Sequence, residues 1–374
     1  MKGIIIWAHD NCRSTLGFYI DLLKRFGVPS KINIVHPVGM SQRELVGFEA
    51  DELTDNKIHY IDGNEKEAIN DLMAHWDWNH LFTSYQKKDI FKSLIDCAIS
   101  NNITYAIMSE APCNMEARPI RRTLKHFYIN QVLRYKLSRI INYSDFILNY
   151  SGYYENALKR IGWTDEKIIS CGYFPPPIPQ SHLQKRTTDN WQNFSILLSG
   201  IHKWHRDPMV LLKALSILKK EGIRPKCYIT QDGPLLEKMK EYATNQGLSN
   251  IEFLGFVAMD TLIHLYETCS VYVGAGQAEP WGMRLNDVLQ CGAPLIVSRG
   301  MGGVKLVDDY CCGLSFDRGD AAGLADAIKK MIIDKDSYLT YAENAYNAAL
   351  AVAPAKKAVE MSKAIQHKFA SKWS

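Results

Sequence analysis

The chain contains no run of about 18 consecutive apolar residues, so no segment reads as a membrane-spanning helix. Its first ten residues, Met1 to Asp10, have a short strand pattern rather than a charged-then-apolar leader, and the expected location is the cytoplasm. The 9 cysteines are odd in number and nowhere spaced as C-x-x-C, which argues against a disulfide framework or a structural zinc site. They read as small apolar fillers, including Cys311-Cys312, which precede Gly313 in what reads as a short strand and turn. A formal net charge of only +4, near balance in each half, excludes a general nucleic-acid footprint. No Gly-x-Gly-x-x-Gly joins a strand to a helix with an acid downstream, so a dinucleotide cofactor is not expected.

What is present is α/β alternation on a chain of 374 residues, too long for one ordinary core and suited to two domains. Apolar runs predict strands at Gly3 to Trp7, Lys31 to Val35, Ile58 to Ile61, Leu81 to Ser84, Ile103 to Met108 and Phe146 to Asn149. The segment Gly172 to Pro179 then breaks the pattern with three consecutive prolines, which favour an extended spacer. A second series predicts strands at Ser195 to Ser199, Lys226 to Thr230, Ile251 to Leu254, Ser270 to Val273 and Leu295 to Ser298. Helices are expected to start near Pro208, Pro234, Met259, Met283 and Ala321, and a last one runs from Ala355 to Ser371. Such alternation implies parallel sheets covered on both faces.

The densest chemistry lies in Glu279-Pro280-Trp281-Gly282, with Asp287 eight positions after the glutamate and Cys291-Gly292-Ala293-Pro294 beyond it. In an open parallel sheet ligands bind at the carboxyl ends of strands, and the loop from Gly274 to Gly282 leaves such an end. Gly282 lets backbone approach a ligand closely, and a helix starting near Met283 and Arg284 would aim its N–H groups at a diphosphate. Glu279 would then face a sugar, and Asp287 the ribose hydroxyls.

This run resembles the Glu-x7-Glu signature of family 4 glycosyltransferases, retaining enzymes of the GT-B fold, with Asp287 where that family has glutamate. The resemblance implies two Rossmann-like domains facing across a cleft: residues 1–175 for the acceptor, 176–352 for the nucleotide sugar, and a helix over 353–374 crossing back to the first domain. Gly200-Ile201-His202-Lys203-Trp204-His205-Arg206-Asp207-Pro208 is similar to the family segment in which two cations hold the donor diphosphate. Arg206 matches the second cation. Ile201 stands at the first, so that contact is missing or supplied by Lys203 or His202. Phe256 and Val257 follow a strand like the loop whose backbone reads the nucleobase. Met108-Ser109-Glu110 stands where the family has a histidine, which makes Glu110 the candidate for contact with the donor sugar or the acceptor hydroxyl. His9 and Arg13, after the first strand, are further candidates. No metal or other cofactor is implied.

Between Arg118 and Arg139 seven basic residues occur without an acid, interleaved with Phe127, Tyr128 and Tyr135. That stretch reads either as a face for an anionic membrane, placing the protein at the inner membrane surface, or as a solvated helix face paired with acids elsewhere. The expected activity is transfer of a sugar from a nucleotide-diphosphate sugar to a glycan or lipid-linked acceptor, with retention, in cell-envelope glycan or polysaccharide synthesis. Two other classes stay open. A sugar-nucleotide epimerase would consume donor without acceptor, and a non-catalytic subunit would need a partner.

Overall fold

The computed structural model describes residues 2–9, 13–35, 58–61, 63–85, 90–112 and 122–370. Its contacts divide the chain into two units, one drawn from Met1–Pro112, Arg118–Pro176 and Ala353–Ser374, the other from Pro177–Val352.

The first unit is built on strands β1 (Ile4–Ala8), β2 (Ser30–Ile34), β3 (Ile58–Tyr60), β4 (Asn79–Phe82), β5 (Tyr105–Ser109), β6 (Ile147–Asn149) and β7 (Ile168–Ser170). Among the described residues they form one sheet in the order β3-β2-β1-β4-β5-β6-β7, with every pair parallel. β1, IIIWA, is buried at all five positions, which is the continuous apolar pattern of a strand covered on both faces. The helix Pro354–Ala370 belongs to this unit and packs on the helix Arg13–Leu23, where Gln366 Nε2 donates to the Phe26 carbonyl at 3.0 Å.

The second unit carries β8 (Ser195–Ser199), β9 (Lys226–Thr230), β10 (Ile251–Gly255), β11 (Val271–Gly274), β12 (Leu295–Ser298) and β13 (Gly313–Phe316). These too are all parallel, in the order β10-β9-β8-β11-β12-β13. Each sheet reverses its strand order once, between β1 and β4 and between β8 and β11, and a crevice for ligands opens at the carboxyl ends on either side of such a reversal. Ile196, Leu211, Leu215, Ile229, Val273, Ile296 and Ile328 are among the buried residues of the core beneath the second sheet.

Two strands lie outside the two predicted series. β7 has three residues, all half-buried, at a sheet edge, and β13 is an edge strand with only its end positions buried.

Candidate active site

The loops after β8 and β11 leave the reversal point of the second sheet. The β11 loop, residues 275–282, is stitched to residues 299–303. Glu279 N–H donates to the Gly300 carbonyl at 3.0 Å, Gly302 N–H to the Glu279 carbonyl at 3.0 Å, and Gly303 N–H to the Trp281 carbonyl at 2.9 Å. Glycine is required where the backbones meet: a Cβ on Gly300 would stand 2.4 Å from the Gly276 carbonyl oxygen, and one on Gly303 2.6 Å from that of Trp281. Gly282 has φ +99, and its missing Cβ would stand 2.3 Å from Met301 Cε. The space that Gly282 opens is therefore occupied by Met301, a different use of this glycine from the close ligand approach expected of it. Trp281 is likewise core, 2% exposed, with its indole N–H donating to Asn286 Oδ1 at 2.6 Å.

The β8 loop contributes a 3-10 turn, Trp204–Arg206, that is clasped to the β11 loop by Gln277. The Gln277 main-chain N–H donates to the His205 carbonyl at 2.8 Å, and its side-chain Nε2 donates to Asp207 Oδ2 at 2.6 Å. Asp207 takes the left-handed conformation, φ +38, that turns the chain back into the helix Met209–Lys220. Through this clasp Arg206 Nη2 comes 3.4 Å from Glu279 Oε1. The His205 imidazole stands in the same field, its pKa lowered by burial and then by Arg206.

A second guanidinium reaches the same place. The point where a Gly200 side chain would begin lies 3.1 Å from Arg206 Nη1 and 3.7 Å from Arg284 Nε. Two such cations, about 7 Å apart at most, repel by roughly 2 kcal/mol at an effective dielectric of about 20, before Glu279 is counted. Arg284 opens the helix Arg284–Gln290, and its Nη1 donates to the Tyr266 hydroxyl at 2.7 Å. Asp287 lies one turn on and is half-buried.

Sequence reading missed the device behind this arrangement. Arg186, 2% exposed, donates from Nε to the Cys269 carbonyl at 2.7 Å, from Nη2 to that of Tyr266 at 2.5 Å, and from Nη1 to those of Cys291 and Gln184 at 3.0 and 3.1 Å. Cys269 and Cys291 cap the carboxyl ends of the helices Met259–Thr268 and Arg284–Gln290. A cation is favoured at such ends, where carbonyls lack partners. The only signal in the sequence is one arginine in a polar stretch, which reads as surface.

The remaining predicted residues are spread out. His202 is 1% exposed, with its main chain bonded to Asp232 and Leu235; burial lowers its pKa, and among the described residues its Nε2 has no hydrogen-bond partner. Lys203 is exposed, and the second guanidinium beside Gly200 is that of Arg284. Met283 is the N-cap of the Arg284 helix. Phe256, 71% exposed, and the half-buried Val257 follow β10.

In the first unit Glu110 follows β5, and its Oε1 accepts from the Tyr173 hydroxyl at 2.8 Å; Tyr173 stacks on Tyr150 at 4.9 Å. His9 follows β1, donates its main-chain N–H to Thr83 Oγ1 at 3.0 Å, and stacks on Phe91. Arg13 begins the helix Arg13–Leu23, and its side chain lies outside the described residues, as does Arg118. Among the described residues no group of three or more His, Cys, Asp or Glu is arranged to hold a metal ion.

Residues 183–348, which contain both arginines, Glu279 and Asp287, match the model of the family described as Glycosyl transferases group 1. That domain is a glycosyl transferase group 1 domain. Over 113 residues the chain is 28% identical to an uncharacterized glycosyltransferase of Methanocaldococcus jannaschii, covering 30% of this chain and 32% of the relative. It is 25% identical over 148 residues to the D-inositol 3-phosphate glycosyltransferase of Corynebacterium jeikeium, covering 37% and 35%. The chain thus spans about a third of the length of these curated relatives. The crystal structure of Anabaena HepE in complex with UDP aligns over 98% of this chain and 100% of its own, with a TM-score of 0.68 at 13% identity, which establishes likeness of fold. The fold is α/β with two parallel-sheet, Rossmann-like halves, and its structural neighbours are GT-B glycosyltransferases.

Proposed function

We propose that this protein transfers a sugar from a nucleoside-diphosphate sugar to an acceptor hydroxyl with retention of configuration, in the synthesis of a cell-envelope glycan or polysaccharide. The observation that carries the reading is the Arg206–Glu279 pair, 3.4 Å apart at the reversal point of the second sheet, inside the matched domain. Bond breaking between sugar and phosphate builds negative charge on the departing oxygen, and a preorganised guanidinium lowers the cost of that charge. Arg206 takes this part. Glu279 accepts hydrogen bonds from sugar hydroxyls and holds the sugar's reacting carbon in place. Asp287 accepts from the ribose.

With no carboxylate assigned as nucleophile, the departing phosphate takes the acceptor proton during attack on the same face of the sugar. Glu110, oriented by Tyr173, is assigned to the acceptor hydroxyl. The exposed Arg134, Tyr135 and Lys136 of the helix Arg122–Tyr143 supply a basic, aromatic face for an anionic lipid surface.

Thermal unfolding with UDP, GDP and ADP, followed by turnover of the matching sugar nucleotides, tests the reading. A ligand at a hundred times its dissociation constant adds about 2.7 kcal/mol of apparent stability. One nucleotide should stabilise the wild type and lose its effect in Arg206→Met. No shift with any of the three overturns the assignment, and donor loss without any acceptor points to epimerisation.

A further inference from the structure

We infer that Arg284 is the second cation of the phosphate site, delivered from a helix because the loop after β8 presents Ile201 instead, and that Tyr266 is the positioning residue that sets its aim. The inference rests on the donor reading above and names a side chain that determines its specificity for a diphosphate.

Arg284 converges with Arg206, both guanidiniums lying within 4 Å of the point where a Gly200 side chain would begin. Burial opposes its charge, but Tyr266, Tyr272 and Asp287 outweigh that and raise its pKa, so it stays a cation beside Arg206. An anion resting between the two guanidiniums relieves their mutual repulsion, and a diphosphate fits because two fork-shaped donors can engage separate oxygens. Gly200 leaves the approach open: any side chain would begin 3.1 Å from Arg206 Nη1, at a φ of +137 that L residues rarely adopt.

The aim of Arg284 is fixed from behind. Its Nη1 is taken by the Tyr266 hydroxyl at 2.7 Å, while Nε is the atom turned to Gly200. Tyr266 is buried, and Arg186 grips its carbonyl at 2.5 Å. Ile201, by contrast, is 40% exposed in the loop between Gly200 and Arg206, so a charge can be moved there without disturbing the core.

The test measures binding of UDP, GDP and ADP, each against its own monophosphate, to the wild type, Arg284→Met, Tyr266→Phe, Ile201→Arg and the Ile201→Arg/Arg284→Met double variant. Loss of a charge-assisted fork should cut the preference for diphosphate over monophosphate about tenfold in Arg284→Met, and less in Tyr266→Phe. The double variant should recover most of it. A merely structural arginine would lower the melting temperature and leave the preference unchanged, and that result overturns the inference, as does a double variant no better than Arg284→Met. Should Arg284→Met fail to fold, Tyr266→Phe decides on the same readout. A wild type that binds none of the nucleotides removes the donor site altogether, a different outcome from a preference that Arg284 does not control.

Discussion

Arg206 and Glu279 close on each other at 3.4 Å, each on its own loop, with Gln277 clasping the two loops beside them. The acid partly neutralises the cation until a more highly charged anion arrives. Glu279→Gln should therefore bind the nucleoside diphosphate alone as well as or better than wild type, while transfer falls about a hundredfold through loss of sugar positioning. Calorimetry and steady-state kinetics on one preparation check both halves. A parallel loss of affinity and turnover would mean that Glu279 only holds the loop.

A side chain at Gly200 is strained. A substitution to alanine places a methyl group 3.1 Å from Arg206 Nη1 and strains a backbone at φ +137. The strain costs about 1–2 kcal/mol of stability. Displacement of the guanidinium should weaken nucleoside diphosphate binding about tenfold or more, the range for loss of a charge-assisted contact. Urea unfolding and calorimetry separate the two effects.

Arg186 should matter more to stability than its place in a polar stretch suggests. Arg186→Met removes hydrogen bonds to four main-chain carbonyls, of which, among the described residues, only that of Cys291 keeps a main-chain donor, the Gln184 N–H at 3.3 Å. An expected loss of about 3 kcal/mol follows from the cost of buried groups left unpaired. Lysine in its place, a point charge without the planar fork, should recover only part. Equilibrium urea unfolding measures both variants.

Acid sensitivity should come from the first unit. Trp7 can only donate, so its 3.0 Å bond to His80 Nδ1 fixes the neutral tautomer with Nε2–H, 3.1 Å from the His75 carbonyl. Burial lowers the His80 pKa from 6.5 to about 4. Above pH 6.5 both folded and unfolded states hold it neutral and its full contribution is present. As pH falls from 6.5 toward 4 the unfolded chain takes up the proton first, and about 3 kcal/mol of stability is lost across that window. His80→Gln should flatten the slope of unfolding free energy against pH; an unchanged slope would place the titrating group elsewhere.

Ser195 to Ser199 and Leu295 to Ser298 coincide with β8 and β12, which are buried at every position, and Lys226 to Thr230 coincides with β9, whose first residue is exposed. β7, three residues long, is not placed by the sequence, and β13 is anticipated only as a short strand and turn around Cys311-Cys312. The segment holding Glu279 and Asp287 stands out because acid spacing and glycine occur together after an apolar strand, and Arg206 stands out separately in the loop after β8. What stayed hidden depends on which atoms meet across long separations. Gly282 looks alike in sequence whether a ligand or Met301 fills the space beside it, and sequence places Arg284 at a helix start aimed at a diphosphate without showing that its side chain meets Arg206 beside Gly200. His202 reads as a loop histidine, and only its bonds to the turn at Asp232 bury it.

The seam between residues 276–282 and 299–303, glycine against carbonyl with Met301 wedged inside, ties the lengths of the two loops together. An insertion in either would slide these backbone bonds out of register, so variation between 276–282 and 299–303 is confined to side chains rather than loop length.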